Sequence, residues 1–302
     1  MRGRSPIYSC SPMVIIANPR AGHGKGAGNV ERLRGAIRRR GLDGRIVVTD
    51  RPGHATELAR ALVEGGERRI AAMGGDGTIG EVANALVGTE VELALISMGT
   101  GNDIARSLGL PLNDLPASLI LAFDGVAHPV DVGRERDRAF LSVLGLGFPA
   151  VVAAEANSFT WLKGPPAFFA AVYKAVHRLR AVPLRIEMDD LTLDMECAAV
   201  MIQNTPYTGG GLLMAPGASM DDGLLDVVVV DDIGKKNLMI NFPKVYSGRH
   251  LRHPSFQLHR TSRVRIESEE RLPKMFDGDL CGWTPVEAEV DRGALRVVLP
   301  AA

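Results

Sequence analysis

The 302-residue chain is 46% hydrophobic and 23% charged, with a mean hydropathy of +0.06, which excludes a disordered, collagenous or coiled-coil protein. At roughly 100–200 residues per domain, its length predicts about two domains. Its 35 basic and 35 acidic residues cancel, which argues against a chain basic throughout and built to coat nucleic acid. Three cysteines, Cys10, Cys197 and Cys281, form no CxxC pair and suit a reducing, cytosolic setting. Residues 1–12 hold no apolar run of signal-peptide length. The uncharged stretches 139–154 and 197–220 are too short or too rich in glycine and proline to cross a bilayer. A soluble, cytoplasmic protein is the expectation.

In chain order, the apolar run 13–17 predicts a buried strand ending at Asn18-Pro19, followed by a glycine-rich loop over 20–28. Val30, Leu33 and Ile37 recur at helical spacing, so 29–40 reads as an amphipathic helix with an arginine-rich outer face. Strands are expected at 45–49, 69–73 and 92–97, and helices at 55–64 and 79–87. Strand, glycine loop and helix in repetition indicate a doubly wound, mostly parallel α/β sheet. Beyond about residue 130 the texture changes. Apolar runs at 140–144, 184–188, 198–202, 224–230, 264–266 and 295–299, with one helical insert over 166–179, predict a second domain of antiparallel strands.

Three glycine-rich loops, 18–28, 74–78 and 99–103, leave strands of the first domain. In open α/β sheets ligands bind where such loops gather, and glycine lets backbone N–H groups approach a phosphate. Three loops on one sheet edge therefore point to a polyphosphate site. Neither a Walker A spacing nor a GxGxxG fingerprint with a downstream ribose acid is present. Asp76, between glycines at the end of a strand, is either a turn residue or a charge aimed at a ligand or metal. The seven histidines show no metal-ligand spacing, and no Ser/His/Asp or Cys/His arrangement can be drawn.

The stretch 73–84, Met-Gly-Gly-Asp-Gly-Thr-Ile-Gly-Glu-Val-Ala-Asn, resembles the diacylglycerol-kinase catalytic domain family, which includes bacterial soluble lipid kinases and the sphingosine and ceramide kinases. Other segments match in order along almost the whole chain. These are Asn-Pro-Arg-Ala-Gly at 18–22, the threonine segment at 49–55, Gly-Thr-Gly-Asn-Asp at 99–103, Asp131-Val132-Gly133, the segment 215–227 and Asp277-Gly278-Asp279.

The resemblance implies ATP-dependent phosphorylation of a lipid hydroxyl, with a diacylglycerol-like or sphingoid-like acceptor. It places the nucleotide in a cleft between the two domains, held by Asn18, Thr49, Gly75, Thr78, Gly99, Thr100, Gly101 and Asn102. It divides the chain into a nucleotide domain, 12–132 plus 291–302, and a β-sandwich acceptor domain, 133–290, with the last strand returning to the first domain. Asp76 would serve catalysis beside the phosphates, where Mg2+ is expected, and Asp277 would be the base that receives the acceptor proton. Asp222, with Asp221 beside it, would hold a structural magnesium, although a simple turn explains that segment equally well. Asp279, expected to reach a metal, stands where the family has glutamate and is one methylene shorter, and Ser142 stands where it usually has asparagine. The aromatic-rich stretch 161–173 is either a lipid-tail groove or an ordinary buried helix.

Two rivals remain at this stage: a kinase of another alcohol, such as NAD or a polyprenol, and a catalytically weak nucleotide-sensing lipid-binding protein, favoured by Asp279. The balanced net charge hides two basic segments. Residues 1–40 carry nine Lys/Arg and one acid, and residues 243–266 carry six and none. They predict peripheral, salt-sensitive contact with an anionic membrane at its inner face; no nucleic-acid partner is expected, and a homodimer is left open.

Overall fold

A computed structural model describes residues 12–22, 26–159 and 165–301. Cys10, Trp161 and residues 162–164 of the aromatic-rich stretch lie outside the described residues.

The first half follows the predicted alternation. Strands Met13–Ala17, Gly44–Val48, Arg69–Gly74 and Glu92–Ser97 are all parallel, in the spatial order Gly44–Val48, Met13–Ala17, Arg69–Gly74, Glu92–Ser97. Their burial is nearly complete in the three inner strands, as expected for a sheet covered by helices on both faces. Helices Gly26–Arg40, His54–Glu64 and Asp76–Leu86 supply that cover. The helix Leu115–Asp124 was not anticipated; Asp114 caps it, accepting from the Ala117 N–H at 3.0 Å.

The two halves are joined by a ribbon. Strand Val126–Glu135 runs antiparallel to the long strand Val286–Leu299. The latter also pairs in parallel with Glu92–Ser97 at Arg296↔Glu92 and antiparallel with Arg263–Glu267. Hydrogen bonding is therefore continuous from one half to the other, in a single 15-stranded network. The expected boundaries fall on directly opposed pairs, Val132↔Asp291 and Gly133↔Val290, while both strands run straight through them.

The second half is antiparallel. Thr192–Gln203 is its axis, pairing with Val182–Met188 over its first part and with Val143–Gly147 over its second. Leu225–Asp231 lies along its other edge and carries Phe256–Thr261. One core, including Phe140, Leu144, Val200, Ile202, Val227 and Phe276, fills the space between strands. A second lies beneath the anticipated helix Pro165–Ala175 and two helices the sequence reading did not anticipate, Phe148–Ser158 and Lys235–Asn241. The expected strand over 140–144 is broken between Arg138–Phe140 and Val143–Gly147. The reason is chemical: the N–H groups of Leu141, Ser142 and Val143 turn toward the carboxylate of Asp277 instead of a neighbouring strand.

A candidate phosphoryl-transfer site between a glycine-loop cleft and an apolar cavity

The three glycine loops meet. Asn18 donates from Nδ2 to the Thr78 hydroxyl at 2.9 Å and accepts the Arg20 N–H at 2.8 Å, tying the first loop to the second. Gly99 lies so close to Gly75 that a Cβ there would come within 2.4 Å of the Gly75 Cα, so no larger residue lets the second and third loops pack. Helix Asp76–Leu86 begins at this junction with glycine, which has no side chain to cap it, at its N-cap, and a helix N-terminus favours an anion. The result is a cleft of about 460 Å³ lined by Asn18, Thr49, Gly75, Thr78, Gly99 and Thr100. Six of the eight residues expected to hold a nucleotide thus converge.

The other two act differently. Asn102 is buried at 1% exposure with φ of 54°; its amide accepts from the Gly99 N–H at 2.9 Å and donates to the Gly99 carbonyl at 3.1 Å. It shapes the loop from behind. Gly101 packs against the Asp76 carboxylate and Gly210. Glu81 also belongs to this cleft, accepting from the N–H groups of Gly53 and Ala55 at 2.9 and 3.1 Å, and so holds the threonine segment in place.

On the far side of Asp76 is a second space of about 310 Å³. Most of its wall is apolar and comes from distant segments, among them Phe148, Val152, Val172, Met201, Leu238 and Phe242. Three carboxylates, Asp76, Asp103 and Asp277, stand in that wall. Asp277 occupies a hairpin turn, with φ of 49° there and 99° at Gly278, and accepts from Leu141, Ser142 and Val143 at 2.9, 2.8 and 2.9 Å. The hairpin turn and the residue expected to be the base are therefore the same feature. Burial raises its pKa, the three N–H donors oppose that, and the negative charge of Asp76 adds to it.

Asp103 was not singled out in the sequence. Burial first, then the charge of Asp76, push it up to about 6. One oxygen accepts the Gly210 N–H at 2.7 Å, whereas the other is buried without a partner among the described residues. Asp76, also raised by burial, accepts the Ile104 N–H at 3.2 Å. Two crowded carboxylates with an orphaned oxygen fit a hard divalent cation, which uses one or two carboxylates and completes its shell with phosphate and water.

The residues expected to hold metal lie in two places. Asp221 accepts from Ser219, and Asp222 from the Leu224 N–H while pairing with Arg260, in the turn that leads to Leu225–Asp231. A guanidinium already neutralises Asp222. Asp279 instead lines the glycine-loop cleft. Among the described residues no three metal-ligating side chains cluster. Ser142 bonds to Thr205 and the Tyr207 carbonyl, both at 2.9 Å, so it supports the wall of the cavity.

Comparison with known proteins decides the family. Residues 12–134 match the diacylglycerol kinase catalytic domain, and residues 142–299 match the YegS C-terminal NAD kinase beta sandwich-like domain. A diacylglycerol kinase of Mycobacterium tuberculosis is 32% identical across 99% of this chain and 98% of its own length. The chain belongs to the diacylglycerol kinase family. A YegS-like lipid kinase of Pseudomonas aeruginosa is likewise 32% identical, over 92% of this chain and 93% of that one. A solved structure assigned as a diacylglycerol kinase of Bacillus anthracis superposes with a TM-score of 0.78 at 26% identity, covering 95% and 97% of the two chains. The α/β half and the antiparallel half are those of the family, and the protein is a lipid kinase. No helix among the described residues is long and apolar enough to cross a membrane.

Proposed function

We propose that this lipid kinase transfers the γ-phosphoryl group of ATP to the hydroxyl of a diacylglycerol-like or sphingoid-like lipid. One observation carries the reading. The cleft and the cavity are one residue apart: Gly75 and Gly77 line the first and Asp76 the second, while Asp279 lines the first and Asp277 the second. A phosphate chain lying on the loops would present its end to a hydroxyl whose apolar tail fills the cavity. A polar acceptor such as NAD would face that lining with unpaired groups.

In this reading the acceptor oxygen attacks the γ-phosphorus, the bond to the β-phosphate oxygen breaks, and Asp277 receives the hydroxyl proton. Burial raises the pKa of Asp277 and so favours its taking that proton. The backbone donors at 141–143 keep the carboxylate aimed. Asn18, Thr78 and the N–H groups at the start of helix Asp76–Leu86 bind and orient the phosphates. Asp76 and Asp103 would hold Mg2+, which supplies charge neutralisation on the phosphate oxygens.

The test is incubation of purified protein with γ-labelled ATP, magnesium and dispersed lipid acceptors, followed by organic extraction. Label in a phospholipid, reduced about 10²–10⁴-fold in Asp277→Asn with nucleotide binding retained, is the expected result. Absence of labelled lipid with every acceptor, or an unimpaired Asp277→Asn, would overturn it.

A further inference from the structure

The wall of the apolar cavity has an outer face that the reaction does not use. Helix Lys235–Asn241 continues into the 3-10 turns Phe242–Ser247 and Arg249–Arg252. Leu238, Phe242 and Val245 point inward and line the cavity. Met239, Ile240 and Tyr246 are exposed at 37, 54 and 40%, and the Tyr246 hydroxyl also feels the charge of Asp103. Beside them, helix Pro165–Ala175 exposes Phe169 and Tyr173, one turn apart, at 45 and 63%. The Phe169 ring bridges the two elements, edge-on to Phe242 at 5.9 Å and stacked on Tyr246 at 6.2 Å. Five of the eleven large hydrophobic side chains exposed among the described residues fall on this one patch, a concentration that marks an interaction surface.

A basic groove borders the patch on the same strip. Its space of about 610 Å³ is lined by Asn241, Lys244, Ser247, Arg249, Arg252 and His253 with two prolines, and holds no acid. Arg249 and Arg252 are exposed and make no ion pair among the described residues. The other three arginines of the basic segment 243–266 are already committed: Arg260 to Asp222 and Asp226, Arg263 to Asp189, Arg265 to Glu267 and Glu287.

We propose that this strip is the docking face for a bilayer containing anionic phospholipid. The apolar crest enters the acyl boundary, and the groove receives phosphate headgroups. Both halves of the surface are needed for such an occupant: apolar burial gives affinity for any bilayer, and uncompensated Lys and Arg select an anionic one. The assignment rests on the kinase reading only in placing the acceptor cavity directly behind the membrane-facing wall.

Sedimentation of the full chain with vesicles, without nucleotide, tests it. Partition onto phosphatidylglycerol vesicles should exceed that onto phosphatidylcholine and weaken with salt. Arg249→Gln/Arg252→Gln, with an unchanged melting temperature, should lower the phosphatidylglycerol partition about 30-fold, the equivalent of about 1 kcal/mol for each basic residue. Ile240→Ser should lower partition onto both vesicles about tenfold. Arg38→Gln/Arg39→Gln/Arg40→Gln, at the end of helix Gly26–Arg40, should stay within about twofold of the parent. Equal partition onto the two vesicles, no loss in the double variant, or an equal loss in the triple variant would overturn the docking face. A chain that binds anionic vesicles but phosphorylates no lipid overturns the kinase reading alone. One that phosphorylates detergent-dispersed lipid but ignores anionic vesicles overturns the docking face alone.

Discussion

The cleft and the cavity meet at Asp76 and Asp277, yet they are made in different ways. The cleft is built largely from four short segments, each contiguous in sequence, brought together because their strands lie parallel in one sheet. The cavity is mostly side chains, drawn from segments between Phe148 and Met275 that share no local motif. Phosphate can be held by a few N–H groups at helix and loop termini, so short segments suffice. An apolar tail must be surrounded on all sides, and that takes many elements.

If the division holds, each space can be damaged without the other. Gly99→Ala should do most harm, because its Cβ meets backbone at Gly75 and the Asn102 amide oxygen at 2.8 Å. We expect nucleotide affinity to fall about 100-fold, measured by calorimetry, with lipid binding retained. Equal loss of both would show that the two spaces are not independent.

A control away from both comes next. Asp226 is 1% exposed, 3.6 Å from Arg260, and burial pushes it up to about 6. A carboxyl raised above its unfolded value contributes stability that is full below about pH 4 and lost as pH rises through about 6. Asp226→Asn should therefore gain about 2 kcal/mol on the parent between pH 4 and pH 7, read from denaturant melts, with turnover unchanged. His250, pushed down to about 4 by burial, slopes the opposite way in both proteins and cancels in the difference. A constant difference across that window would refute the assignment.

The cavity is probed by Ala153→Phe, which adds a ring to a lining position. The KM for a long-chain acceptor should rise about tenfold with nucleotide affinity intact. The smallest effect is expected from Glu81→Ala, which frees the N–H groups of Gly53 and Ala55. Nucleotide affinity should fall about fivefold, near 1 kcal/mol, with acceptor KM unchanged. A larger change in acceptor KM than in nucleotide affinity would count against its place in the cleft.

The parallel half was legible because its strands are short apolar runs punctuated by glycine, and its helices begin where those loops end. Asn18, Thr49, Gly75, Thr78, Gly99 and Thr100, which the family resemblance named, line one cleft because they follow those strands. Asp277 was named from its family motif, although the residues that donate to it, 141–143, lie in a segment read as unbroken strand. Asp103 was passed over because nothing local distinguishes it from a helix-initiating aspartate; its burial against Asp76 and Gly210 arises only when loops far apart in sequence meet. The pairing of Asp222 with Arg260 was not visible in the sequence, because the two lie 38 residues apart.

The basic segment shows the same limit. Composition alone located six Lys/Arg in 243–266 with no acid, but half of them pair with acids elsewhere in the second half of the chain. Local chemistry, such as turns, loops and apolar periodicity, is written in neighbouring residues and can be read directly. Which charges remain uncompensated, which carboxylates crowd together and where an apolar space stays open depend on pairs distant in sequence, because burial and Coulomb interactions act through space. Tertiary structure decided those.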